Sequence, residues 1–441
     1  MAFRKEVLGS FIRIEKGLTY KGESLVEESE TALIGMDSFI PGGGYKSGSE
    51  KPYNGSFKSQ NTVEAGDLLL CATDVTQDGG VLSAPLLVPD ELGGYECLVY
   101  SHHVGKVNVV KEGIRPEFIY NFFRIPINRI RCAYGDTGTT VRALPYEVVY
   151  EQEIPVPSLE EQDRINSLIA TVDRKIQLNS ALASTLEKIA QSVFRSWFID
   201  FDPVRAKMAG EMPAGVDDAT TSLFPDSLED SELGPIPEGW CIGSMSDFFA
   251  LQGGFSFKSS SWKPTGVPVV KIGSVKPGIV DLTQVSYVDD SLAAKTSDVY
   301  RLFRGSLVIG LTGYVGEVGL VVQHQPIPLL NQRVAKFLPV NGVWKIPFTY
   351  CLTRRPEFKK LVADAATGSA QQNVSNSQIL GLKACVPPSE LIERFNDRFE
   401  SAFEQILSLT EQNIILGQLR DSLMPRLISG ELRIPEEILE S

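Results

Sequence analysis

A chain of 441 residues with 43% hydrophobic and 22% charged residues has an ordinary globular composition, which excludes large-scale disorder and favours two or three domains over one core. The formal net charge is −13, from 42 Lys and Arg against 55 Asp and Glu. An acidic total does not exclude nucleic acid, because local positive surface sets the attraction to phosphate.

At the N-terminus, Met1 to Ile14 carries charges inside its short apolar stretches and lacks the apolar core of a signal peptide. No apolar run approaches the ~18 residues needed to span a bilayer. Cys71, Cys97, Cys132, Cys241, Cys351 and Cys385 are scattered without a C-x-x-C pair, which argues against a disulfide framework and against zinc. The expectation is a soluble, cytoplasmic protein with no membrane contact.

Residues 1–154 read as a mixed α/β unit. Asp67 to Cys71 and Val104 to Val110 are strand-like runs broken by Gly, Pro and Asn clusters. The stretch after Pro116 reads as a helix, with proline early, where its missing donor costs little. Residues 155–208 are expected to form one long helix. Ser158-Leu159-Glu160-Glu161 matches a capping box, in which Ser158 and Glu161 each satisfy an orphan N–H. Ile165, Ile169, Val172, Ile176, Asn179, Ala183, Leu186, Ala190, Val193 and Trp197 recur at steps of four and three, the stripe of a coiled-coil seam. Asp202-Pro203 marks its weakening or end.

Residues 209–234, acidic and rich in Gly, Pro and Ser, read as a linker without a single Lys or Arg after Gly210. Residues 235–386 repeat the α/β unit. Residues 387–432 repeat the helix, with a seam of Phe395, Phe399, Ala402, Ile406, Leu409, Asn413 and Leu416, and 433–441 form an acidic tail. The repetition holds at one constant offset over the later part of each half: Pro157 falls on Pro387, Arg164 on Arg394, Asn166 on Asn396 and Ser192 on Ser422. Upstream, Gly17-Leu18-Thr19-Tyr20-Lys21 pairs with Gly254-Phe255-Ser256-Phe257-Lys258 after a small insertion. The expected fold is therefore α/β (α+β), two similar domains joined by two long antiparallel coiled-coil helices with pseudo-twofold symmetry.

Each half also carries a basic stretch. Arg333 to Lys360 contains Arg333, Lys336, Lys345, Arg354, Arg355, Lys359 and Lys360 against Glu357, and Lys111 to Arg142 contains Arg115, Arg124, Arg129, Arg131 and Arg142. Their matching places point to phosphate-facing surface in both halves. Signs of catalysis are missing. His102, His103 and His324 form no metal pattern, and there is no phosphate-binding loop, nucleophile elbow or N-P-P-[YF] methylase motif. Gly313 to Gly319 has the wrong spacing for a dinucleotide fingerprint and reads as a tight turn between strands.

Ile154-Pro155-Val156-Pro157-Ser158-Leu159-Glu160-Glu161-Gln162, the Pro387-Pro388 of the second copy, Pro235-Ile236-Pro237-Glu238-Gly239-Trp240, and Leu423-Met424-Pro425-Arg426-Leu427-Ile428-Ser429-Gly430 together resemble the specificity subunits of type I restriction-modification enzymes. Asn331-Gln332-Arg333 and Gly368 to Ser375 resemble motifs inside that family's second recognition domain. The second junction lacks the Glu-Gln of the first. Ser101-His102-His103 stands where Asn331-Gln332-Arg333 stands, and Gly138-Thr139-Thr140-Val141-Arg142 occupies the later loop.

The resemblance implies a non-catalytic subunit that binds double-stranded DNA. Each domain would read one half of a bipartite, asymmetric target in the major groove, and the helix pair would set the spacer and dock two methylase subunits. Motor-nuclease subunits would complete the complex. S-adenosylmethionine, ATP and Mg would belong to those partners and not to this chain. Asn and Gln suit adenine and Arg suits guanine, while Lys and Ser suit the backbone. The candidates are Lys258, Gln332, Arg333, Gln371, Gln372, Asn373 and Ser375 in the second domain, and Lys21, His102, His103, Thr139, Thr140 and Arg142 in the first. Two other readings are a non-catalytic scaffold that bridges partners without reading DNA, and a recognition subunit that serves methylation alone.

Overall fold

The computed structural model describes residues 3–74, 80–90, 93–133, 142–283, 285–340, 346–368 and 372–435. It divides into two compact units, Met1–Ile176 with Ile415–Ser441, and Gln177–Ile414. Both boundaries fall inside the long helices, Leu159–Phe198 and Ser389–Ser429. A unit is therefore not a contiguous stretch of chain: each owns half of each helix.

The first unit holds two four-stranded sheets. In one, Val104–Val109 lies antiparallel between Ile12–Lys16 and Leu68–Cys71, with Pro85–Leu87 at the edge. In the other, Thr31–Ile34 runs parallel to Cys97–Tyr100. The helix Pro116–Arg124 starts at proline as expected and buries Phe118, Ile119, Phe122 and Phe123. Those side chains share one core with Leu8, Phe11, Leu68, Ile165 and Ile169 and, from the far end of the chain, Met424, Leu427 and Ile428.

The second unit holds a six-stranded sheet, in the order Phe249–Gly253, Val334–Pro339, Leu307–Gly310, Val318–Leu320, Gly278–Val280 and Val275–Lys276. A three-stranded sheet sets Val267–Val270 between Ser286–Val288 and Leu329–Leu330. Its core is strongly aromatic: Phe395 packs edge-to-face on Phe194 at 5.6 Å and on Trp197 at 6.0 Å between ring centres.

Within each unit the two helices run antiparallel. In the first, Glu161 meets Arg433 and, further along, Asp173 meets Arg420. In the second, Asn179 meets Gln412 while Trp197 meets Phe395. Every seam position expected on the first helix is buried or half-buried. Asn179 is 2% exposed and donates to Gln412 Oε1 at 3.4 Å, and Asn413 donates to Ser180 Oγ at 2.9 Å. Polar groups buried in an apolar seam must find each other, so these bonds hold one register.

Three expectations change. The first long helix stops at Phe198 instead of running on; Phe201 is left-handed (φ 56°) and a separate helix, Asp202–Met208, starts there. Pro203 explains the break, because its ring is tolerated only in a first turn. The stretch 209–234 is folded and not a bare linker. Asp217 caps Asp218–Thr221 by accepting from Thr220 N at 2.9 Å, Phe224 is buried edge-to-face on Trp197, and Leu228–Glu229 pairs with Ile236–Pro237. The capping box is half-formed: Ser158 Oγ accepts from Glu161 N at 3.3 Å, while Glu161 turns to Arg433 at 3.4 Å.

Charge ties the first unit's domain to its helices. Asp173 accepts from Arg124 Nη1 and Nη2 at 2.6 and 2.9 Å and from Arg420 Nη1 at 2.8 Å. Burial pushes the Asp173 pKa up, but the two guanidiniums outweigh it and hold the carboxyl below its ordinary 3.8. A depressed folded pKa gives stability that is present above 3.8 and is lost as pH falls through the lowered value. Asp173→Ala leaves the buried Arg124 charge uncompensated and should cost about 3 kcal/mol at neutral pH. The gap to wild type, read by denaturant unfolding, should close in strong acid; a gap independent of pH would refute the ion-pair account.

Candidate nucleic-acid interface

In the second unit a short ladder of backbone hydrogen bonds gathers three loops. Phe255 N donates to Leu330 O at 2.8 Å and Gln332 N to Phe255 O at 3.0 Å. Asn331 N donates to Val270 O at 3.1 Å, Val334 N to Asn331 O at 3.0 Å, and Leu311 N to Arg333 O at 3.0 Å. Val374 N then donates to Leu311 O, and Gly313 N to Gln372 O, both at 3.0 Å. Gly254 makes the approach possible, since a Cβ there would lie 2.2 Å from Asn331 O.

The first unit repeats six of these seven bonds. Leu18 N donates to Tyr100 O at 2.9 Å, His102 N to Leu18 O at 2.8 Å, and Ser101 N to Ile34 O at 3.0 Å. Val104 N donates to Ser101 O at 2.9 Å, Ala72 N to His103 O at 2.8 Å, and Leu144 N to Ala72 O at 2.8 Å. Gly17 plays the part of Gly254: a Cβ would lie 2.3 Å from Ser101 O. His102 therefore occupies the place of Gln332, and His103 that of Arg333. Arg142, paired with Asp74 beside Ala143–Thr73, occupies the place of Gln372.

The expected residues differ in how the structure places them. Gln332, Arg333, Gln372 and Asn373 are brought together with exposed side chains on the rigid frame. Lys258 is exposed four residues beyond Gly254, at the start of the turn Ser259–Ser261, and Lys21 holds the matching place before Gly22–Ser24. Other residues also serve the fold. Ser375 Oγ caps Asn376–Leu380, accepting from Gln378 N at 3.2 Å, and Asn373 Oδ1 accepts from Thr312 Oγ1 at 2.7 Å. Asn331, 7% exposed, supports the turn by accepting from Arg333 N at 3.3 Å. Gln371, Thr139 and Thr140 lie outside the described residues.

In the first unit the rings of His102 and His103 lie 3.9 Å apart between centres, with Tyr20 6.3 Å from His102. His103 Nδ1 is 2.7 Å from Thr73 Oγ1. Burial, then the neighbouring His102 and Lys16, lowers the His103 pKa below 6.5, so its neutral form is favoured. A neutral imidazole carries both a donor and an acceptor.

The basic stretches are largely consumed by folding. Arg354 and Lys359 both contact the buried Glu317, at 3.2 and 2.7 Å. Lys336 donates to the carbonyls of Val299 and Arg301, and Arg355 stacks on Phe194. In the first unit Arg115 pairs with Asp163, Arg124 with Asp173, and Arg129 donates to three carbonyls. Most members of both stretches therefore also serve the fold, which narrows their reading as phosphate-facing surface to fewer residues, Arg333 and Arg142 among the candidates kept. His324 Nδ1 contacts Pro326 O at 3.0 Å, away from the ladder.

Two side chains escaped the sequence reading. Tyr314, 69% exposed, tips the turn between Leu307–Gly310 and Val318–Leu320, whose Gly313 and Gly316 have positive φ. That turn was expected from its glycines, and an aromatic between them was the available signal. Lys271 lies one residue beyond Val270, the carbonyl to which Asn331 is bonded; nothing in its local sequence marks it.

This is a doubled binding fold: one backbone frame built twice, with different polar side chains at the same places. Among the described residues no group of three or more His, Cys, Asp or Glu is placed to hold a metal, and no helix is long and apolar enough to cross a membrane. The chain belongs to the family described as type I restriction modification DNA specificity domain, whose profile matches residues 92–188 and 237–414, more than half of the chain. It is 26% identical over 334 residues to the HindI type I restriction enzyme specificity subunit of Haemophilus influenzae, covering 66% of this chain and 72% of that protein. It is 24% identical over 343 residues to the MjaIX specificity subunit of Methanocaldococcus jannaschii, covering 74% and 72%. The crystal structure of an S subunit from M. genitalium matches with a TM-score of 0.53 over 97% of this chain and 96% of that one, at 15% identity, a likeness of fold.

The close approach at Gly254 gives a direct test of the frame. Gly254→Ala sets a methyl group against backbone and should destabilise by about 1–3 kcal/mol in urea unfolding. Gly253→Ala, whose Cβ would have 3.7 Å to its nearest neighbour, should be far milder. Equal effects would show that the approach is not what the glycine serves.

Proposed function

We propose that this chain is the non-catalytic, sequence-reading subunit of a type I restriction-modification complex, and that each unit reads one half of a split target in double-stranded DNA. The observation that carries this is the repeated ladder with unlike side chains: His102, His103 and Arg142 in one unit, Gln332, Arg333 and Gln372 in the other. A frame held constant while the side chains it carries differ is suited to reading two sequences by one docking geometry. Gln and Arg make bidentate contacts with adenine and guanine, each worth about 1–3 kcal/mol of discrimination. Lys21 and Lys258 would hold the flanking backbone, and Gln371, Thr139 and Thr140 remain candidates from the sequence.

The helix pair would set the distance between the half-sites and offer its outer face to two methylase subunits. Those partners would carry S-adenosylmethionine, and motor-nuclease subunits ATP and Mg, in the cytoplasm where the DNA lies. A 40-residue helix is about 60 Å long, enough to relate half-sites about 34 Å apart.

The test is adenine methylation mapped across a genome with the chain co-expressed with a methylase subunit. A bipartite motif should appear only when the chain is present. Gln332→Ala or Arg333→Ala should relax the second half by about 5- to 150-fold per lost bidentate contact and leave the first half intact, and His102→Ala or Arg142→Ala should do the reverse. No motif from a verified complex would favour the scaffold reading.

The spacing role is checked separately. Deleting one heptad from each long helix at facing positions shortens the pair by about 10 Å and should shorten the unread spacer by about three base pairs. Altered bases in the half-sites would contradict it.

A further inference from the structure

Beside Arg333 the second unit holds a lysine on an aromatic ring and a hydroxyl, with no carboxylate partner among the described residues. Lys271 follows the strand Val267–Val270, whose last residue pairs with Leu330 in the parallel register that leads into Asn331, Gln332 and Arg333. Its Nζ lies 3.6 Å from the centre of the Trp262 ring and donates to Ser286 Oγ at 2.7 Å. Trp262 packs on Phe257 at 5.7 Å, and Phe257 packs edge-to-face on Phe255 at 4.9 Å. Phe255 is itself bonded into the ladder. An aromatic run thus joins the reading frame to the ammonium group.

Neither Lys271 nor Arg333 forms an ion pair with a carboxylate among the described residues. Other half-buried cations of this chain are met either by carboxylates, as Lys106 by Asp67 at 2.6 Å and Arg304 by Glu404 and Glu411, or by carbonyls, as Lys336 and Arg129. Among the described residues Lys271 has only a ring face and a hydroxyl. Burial, and then Arg333, lowers the Lys271 pKa, so the two positive charges feel one another. Fixing a lysine on a ring costs side-chain entropy, and leaving its charge uncompensated beside a guanidinium costs more. The fold gains little in return, whereas an arriving anion would meet a donor already in place.

The geometry points to Lys271, braced by Trp262 and Ser286, as the seat for one phosphate of the DNA backbone, next to the base that Arg333 reads. Lys271 is a positioning residue that fixes the register of the second unit on the duplex. The seat belongs to the second unit alone, because the ladder places Gly35, the residue after Ile34, where Lys271 stands. This inference rests on the DNA-reading function proposed above.

The test uses the full chain assembled with its methylase subunits, titrated against the mapped target duplex and a mixed-sequence duplex over a range of salt. Lys271→Gln should weaken both by the same factor, lower the slope of log K against log salt by about 1, and leave the methylated motif unchanged. Lys271→Arg, which keeps a cation over the ring, should restore the slope, and an unchanged melting temperature shows that the unit is intact. A Lys271→Gln slope equal to wild type, or a changed second half-site, would overturn the phosphate seat. Wild-type complex that binds equally well when the second half-site is scrambled would instead overturn DNA reading by this unit, and the seat with it.

Discussion

The close approach of backbone to backbone at Gly17 and Gly254 is the constraint on which the two candidate surfaces depend. A strand leaving the sheet can bond to the end of its neighbour only where no Cβ stands between them, 2.3 Å from Ser101 O in one unit and 2.2 Å from Asn331 O in the other. Once that contact is made, the following amides have fixed partners, and the loops that carry His102, His103, Gln332 and Arg333 are set by main-chain bonds. Their side chains are then free to differ. Separating frame from side chain in this way lets an internal repeat diverge in surface chemistry without diverging in fold.

The helices apply the same economy to the rest of the molecule. Their apolar seams supply the cores of the units, and polar side chains inside those seams fix the alignment. Asp173, buried enough to be pushed upward yet held down by Arg124 and Arg420, links the domain helix to both long helices of the first unit. The second unit has Arg354 at the position matching Arg124, but it meets Glu317 and Glu187. The two units thus keep the arginine and change its partner.

Periodicity and repetition were legible in the sequence because they are local or self-referential. The seam of the first helix, the start at Pro116, the turn around Gly313 and the pairing of Gly17 with Gly254 all follow from spacing. Long-range partners were not legible. Arg354 and Lys359 read as free positive charge until Glu317, some forty residues upstream, is found between them. The acidic stretch read as a linker because its charges outnumber its anchors, although Phe224 is buried and Leu228–Glu229 pairs with Ile236–Pro237. Among the candidate residues the motifs pointed to loops that the ladder gathers, but could not separate exposed side chains, such as Gln332 and Arg333, from those that also tie the frame, such as Asn373 and Ser375.

The discontinuous make-up of the first unit has a consequence for the order in which the molecule is built. Its core includes Met424, Leu427 and Ile428 from the last turns of the second long helix. A ribosome that has completed the second unit, through Ile414, has still not delivered the residues that close the first. Domains usually mature from the N-terminus onward as they emerge. Here the opposite order is imposed, and the first half of the chain waits for the last. A nascent chain cut short before those turns would carry a finished second reader and an unfinished first one, so only a completed chain presents both.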